Sequence, residues 1–100
     1  METINKPEMT MLATGESFKV FQVIGMAGMA MPLHHSTGEA VVIVSEGSAV
    51  LKIEEREHLL QEGSAFIIPA KQNHSLRLNT RFKALVVMSQ DSNIEFIQLS

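Results

Sequence analysis

Apolar residues in this chain mostly return at every second position, in short runs interrupted by Gly, Pro, Asn, Asp or Ser. An extended strand points successive side chains to opposite faces, so a period of two marks strands that turn one face to a core. Phe18, Val20, Gln22 and Ile24 fall on one such face, and Met29, Met31 and Leu33 on another. The run from Ala40 to Val44 reads as a buried strand, and a turn at Glu46-Gly47-Ser48 separates it from Ala49-Val50-Leu51-Lys52-Ile53. Further strands are expected at His58-Leu59-Leu60, Ala65 to Ile68, His74 to Leu78, Phe82 to Met88 and Ile94-Glu95-Phe96. Glu54 to Glu57 make a charged hairpin tip and Glu62-Gly63 a turn. About nine short strands at these spacings predict an all-β sandwich or barrel. No stretch of helical period competes. The expected core is Ala40, Val42, Val44, Leu51, Ile53, Phe66, Ile68, Leu76 and Leu78.

A chain of 100 residues supports one hydrophobic core and not two. The barrel is assigned to residues 16–100, with residues 1–15 an N-terminal arm or a strand exchanged with a second subunit. Residues 16–24 carry apolar side chains on both faces, Phe18, Val20 and Ile24 against Phe21 and Val23. One small barrel cannot cover both, so a homodimer is expected. Hydrophobic residues at 45% and charged residues at 19% suit a globular chain and argue against a disordered one. With five Phe and neither Tyr nor Trp, branched aliphatics and seven Met must fill most of the interior.

The net charge of −3 and the scattered Lys and Arg leave no basic face for a phosphate backbone, which excludes nucleic-acid binding. The absence of cysteine rules out a disulfide framework, a thiolate metal site and a Cys nucleophile. The N-terminus is polar and acidic where a signal peptide needs a basic start and an apolar run. No apolar stretch approaches the roughly 18 residues that cross a bilayer. A cytoplasmic protein without membrane contact is expected.

Two glycine-centred segments carry the chemistry. The first runs from Pro32 through the adjacent His34 and His35, Glu39 and a β-run to Gly47; the second runs from Gly63 through Pro69 to His74. Gly63 permits a sharp turn with positive φ, and Pro69 ends a strand without needing a ladder donor. Together the segments resemble the two motifs of the cupin superfamily, and the match covers roughly residues 26 to 88 of the chain. The second cupin motif has a glycine, five residues, a proline, usually a glycine two further on, and a histidine three beyond that. Gly63, Pro69 and His74 occupy those positions, while Lys71 replaces the second glycine.

The resemblance implies an antiparallel double-stranded β-helix, a jelly-roll barrel, and a metal held by two histidines one residue apart, a Glu or Gln, and the histidine of the second motif. Counting back from Gly47 without a gap puts Leu33, His35 and Ala40 at the first-motif positions, which leaves His35 and His74 as ligands. One extra residue accommodated as a β-bulge before Gly47 would instead turn Glu39 inward. His35, Glu39 and His74 would then form a two-histidine, one-carboxylate set suited to divalent Fe, Mn, Ni or Zn. Strand parity opposes that alignment, because Glu39 alternates with Ala40, Val42 and Val44. The same parity sends the neighbours His34 and His35 to opposite faces, with His34 expected at the surface or an interface.

The plainer reading of His35 and His74 is a pair of neutral, hydrogen-bonded imidazoles near a barrel mouth. Glu39 reads most simply as a solvated carboxylate, His58 as a satisfied polar core residue, and the Met26, Met29 and Met31 stripe as packing. Met29, Met31 and Leu33 are also the expected apolar wall of a ligand site beside the histidines. The resulting expectation is a binding module that holds a small molecule and at most a weakly held divalent metal. The alternative is a metal-dependent cupin enzyme: a dioxygenase, an isomerase or a decarboxylase.

Overall fold

Runs rich in Val, Ile, Leu and Phe fit a pleated, half-buried surface, and each becomes a strand where Gly, Pro or Asn does not interrupt it. The computed structural model describes residues 6–97, and no helix occurs among them. The strands are β1 (Glu8–Thr14), β2 (Phe18–Gly25), β3 (Ala30–Ser36), β4 (Ala40–Glu46), β5 (Ser48–Ile53), β6 (Arg56–Gln61), β7 (Ala65–Ile68), β8 (His74–Leu78), β9 (Phe82–Ser89) and β10 (Ile94–Phe96). They form two five-stranded sheets, in the orders β1-β2-β9-β4-β7 and β10-β3-β8-β5-β6, and all pairings are antiparallel.

From β2 onward the chain changes sheet at every connection except the β5–β6 hairpin. This alternation makes the fold a double-stranded β-helix, or jelly roll. Gly47 alone turns the corner from β4 in one sheet to β5 in the other, at a φ of 79°. A Cβ there would run into the Arg81 carbonyl oxygen, so glycine is required on two counts.

The core lies between the sheets and is built by the inward set of the alternation. Phe82, Leu51, Leu60 and Leu78 are its largest fully buried side chains. Of the expected core, Ala40, Val42, Val44, Leu51, Ile53, Ile68 and Leu78 are buried, and Phe66 and Leu76 are partly buried against them. Residues 1–5 of the expected N-terminal arm lie outside the described residues. The remainder of that segment includes β1, which pairs with β2 of its own chain, Met9 opposite Val23 and Met11 opposite Phe21.

Two departures from regular pairing bear on function. In β3 the register against β8 slips between Met31 and His34, because Met31 faces Leu76 while His34 faces His74. Three steps on one strand match two on the other, so β3 carries one extra residue. A second slip in β4 lies between Val44 and Glu46, opposite Ala84 and Lys83 of β9.

Candidate ligand cavity and its histidine pair

The sheets do not close completely upon each other. A cavity remains between them, walled by aliphatic side chains such as Val23, Val42, Leu51 and Ile68 and by the thioethers of Met31 and Met88. The outermost strands complete it, β1 through Met9 and β10 through Ile94 and Phe96. Among the described residues that line it, three have polar side chains: His34, Ser36 and His74.

The extra residue in β3 brings these groups together. Pro32 lacks a backbone N–H and stands within the irregular stretch, where a missing ladder donor is tolerated. Beyond the irregularity the inward set becomes His34 and Ser36, both buried, where it was Met31 before it. His34 lies directly across from His74 of β8, with ring centroids 4.2 Å apart and planes at 63°. Phe96 also packs on His34, its ring centroid 5.1 Å away.

Both imidazoles are pinned in the same way. His34 Nδ1 is 2.6 Å from the carbonyl oxygen of Pro32, and His74 Nδ1 is 3.0 Å from that of Gln72. A carbonyl oxygen can only accept, so each Nδ1 carries the proton and donates it. Burial pushes His34 down to about 4, against the opposing effect of its bond to Pro32, with smaller contributions from His74 and His35. Burial lowers His74 as well, again against its backbone hydrogen bond and with a smaller contribution from His35. At neutral pH both rings are therefore uncharged, with a bare lone pair on Nε2. Ser36 Oγ donates to the Gly38 carbonyl at 2.8 Å, so its own lone pairs are what it has left to offer.

Unbroken parity expects His35 inside and His34 outside, and the structure shows the reverse. His35 faces the side of β3 away from the cavity, with Nε2 3.2 Å from Glu95 Oε1 and its buried Nδ1 without a partner. The extra residue before His34 is the cause, and Pro32 is the sequence signal that could have revealed it. Glu39 is exposed ahead of β4, and Ala40 takes the first inward position of that strand. The irregularity before Gly47 does exist, but it lies beyond Ala40, Val42 and Val44 and leaves Glu39 outside. Of the expected apolar wall, Met31 lines the cavity, Met29 packs against the core, and Leu33 is exposed.

Among the described residues, no three His, Asp or Glu side chains come together as a metal cluster. From the described residues the cavity offers two neutral imidazoles and no carboxylate, whereas a catalytic zinc site takes three protein ligands. The donor set does not fit a catalytic divalent metal.

A jelly roll enclosing an apolar space with a few convergent polar groups belongs to the broad class of β-barrels that present an internal site. The particular family follows from comparison: a model of the cupin domain matches residues 20–88, and the chain belongs to the cupin family. It is 30% identical over 83 residues to quercetin 2,3-dioxygenase of Bacillus subtilis strain 168, covering 82% of this chain and 25% of that enzyme. The chain thus spans about a quarter of that relative's length. Among solved structures it resembles an RmlC-like cupin protein from Desulfovibrio desulfuricans, with a TM-score of 0.77, 24% identity, and coverage of 85% of this chain and 83% of the other. It also resembles the polyketide cyclase RemF from Streptomyces resistomycificus, with a TM-score of 0.82, 20% identity, and coverage of 95% and 73%. At these identities the structural likenesses concern the fold.

Proposed function

We propose that this chain is a small-molecule binding module whose ligand enters the space between the two sheets. The observation that carries the reading is a cavity almost wholly apolar in its lining, in which His34 and His74 are held neutral and oriented by Pro32 and Gln72. Apolar walls supply affinity through surface removed from water, and a few placed polar groups supply orientation. The module works as a homodimer. Supporting that reading, Val20, Val41, Val87 and Ile67 form one apolar row across β2, β9, β4 and β7 on the outer face of their sheet.

Methionine methyl resonances test the reading directly, because Met9, Met31 and Met88 line the cavity while Met26 is exposed elsewhere. Titration with toluene, a neutral apolar probe, is expected to shift the first three and leave Met26 in place. Shifts spread over all methionines would remove the reading.

The similarity to quercetin 2,3-dioxygenase favours a second reading, a metal-dependent enzyme. Two imidazoles alone make a weak site, so protein purified without a histidine tag or chelator is expected to carry well under one equivalent of metal. Stoichiometric iron, manganese, nickel or zinc that survives EDTA would favour the enzyme over the binding module.

A further inference from the structure

Among the described residues, every polar side chain in the cavity has already committed its hydrogen. His34 Nδ1–H goes to Pro32, His74 Nδ1–H to Gln72, and the Ser36 hydroxyl proton to Gly38. Toward a ligand the site presents acceptors: two imidazole Nε2 lone pairs and a hydroxyl oxygen. Among the described residues, no Lys, Arg, Asp or Glu lines the space. A carboxylate or phosphate would enter without a donor or a cation to meet it, and an ammonium without an anion, each at a large desolvation cost. A divalent cation would face neutral donors only, within apolar walls.

The walls narrow the class further. His34, His74, Phe82 and Phe96 supply aromatic surface, and Met9, Met31 and Met88 supply polarizable thioethers that pack well against ring edges. The cavity volume is about 60 Å³. An apolar cavity of roughly 150 Å³ takes a benzene molecule. At less than half that volume, the cavity admits a single ring only if its lining gives way, and nothing larger than one ring is accommodated.

We infer that the cavity takes an uncharged hydroxy-aromatic molecule of one ring, which donates its hydroxyl hydrogens to Nε2 of His34 and His74. The inference rests on the binding-module reading and adds to it the polarity of the ligand. A site built to accept a hydrogen bond rejects an analogue that lacks the hydrogen, because its buried acceptor is left unpaired.

The test compares phenol and catechol with anisole, toluene and benzoate, using methionine methyl shifts for affinity and long-range nitrogen–proton correlations of 15N-histidine protein for the tautomers. Both His34 and His74 are expected as Nδ1–H tautomers with unprotonated Nε2. Phenol is expected to bind about tenfold or more tightly than anisole or toluene and to move the Nε2 resonances, with benzoate weakest at neutral pH. The histidine measurement needs no substitution, so it does not depend on whether a variant folds. Equal affinity for phenol and toluene would overturn the inference and leave the binding module standing. Binding by none of the five would overturn both. An Nε2–H tautomer at either histidine, or phenol binding that requires added zinc, would overturn the inference alone.

Discussion

Lys71 holds a φ of 66°, in the left-handed region where a Cβ crowds its own backbone. It stands where the cupin motif usually has glycine, and its N–H donates to the Ser36 carbonyl at 2.8 Å, tying the loop before β8 to the end of β3 beside the cavity. Left-handed geometry costs a side-chain-bearing residue about 1–2 kcal/mol. Glycine would remove that cost and forfeit about 0.5–1 kcal/mol in chain entropy. Lys71→Gly is therefore expected to stabilise the protein by about 0.5–1 kcal/mol, read from the midpoint of urea unfolding. A shift to lower urea would show that the lysine side chain contributes more than its backbone costs.

The buried histidines make a second prediction at the same scale. The folded pKa of His34 lies near 4, below its ordinary value of 6.5, so between those limits the unfolded chain binds the extra proton. Stability is complete above pH 6.5 and falls as pH drops toward 4, by up to about 1.4 kcal/mol per unit for this group. His74 is shifted in the same direction and adds to the fall. Melting temperatures from pH 7 to pH 5 check this above the ordinary carboxylate range. A melting temperature that holds level or rises over that window would show that the pair is not buried as neutral imidazoles.

Among the elements, β1 is set apart by what it lacks. It pairs only with β2, and its residues are exposed apart from the partly buried Met9, whereas β4 and β9 contribute Val42, Val44, Phe82 and Ala84 to the core cluster. A strand with one partner and little buried surface opens at low free energy. Within a single chain, the β1 amides are expected to exchange with solvent far sooner than those of β4 and β9, as hydrogen-exchange mass spectrometry at low protein concentration would show. If β1 amides were protected as strongly as those of β9 at every concentration, the strand would be part of the global unit. Protection that grows with concentration would instead show a second copy covering it.

At the scale of the whole molecule, the outer face of the β1-containing sheet is the unusual surface. Ile43 and Ile67 are 40% and 59% exposed there, beside the row that joins Val20, Val87 and Val41. This is the apolar face that the proposed homodimer would cover. An isologous pairing would bury the same row from both copies. Light scattering at micromolar concentration is expected to give the mass of two chains. Val20→Lys sets a charge at the β2 end of the row and is expected to give the mass of one without loss of strand signal. A wild-type monomer at that concentration would end the homodimer reading.

Spacing along the chain determined the all-β barrel, because period two in short runs leaves the backbone little choice but paired strands. It also determined the buried sets on β4, β5 and β8, and it placed His74, whose strand is regular from its start. It did not decide the partner of His74. Alternation predicts faces only while the pairing stays in register, and one extra residue near Pro32 exchanges the faces of His34 and His35. Glu39 shows the same limit in reverse, since an irregularity is present before Gly47 but falls too late in β4 to turn that carboxylate inward. The protonated nitrogen of each histidine was likewise beyond the sequence. It depends on the Pro32 and Gln72 carbonyls lying within hydrogen-bond reach of Nδ1, and only the folded backbone sets those distances.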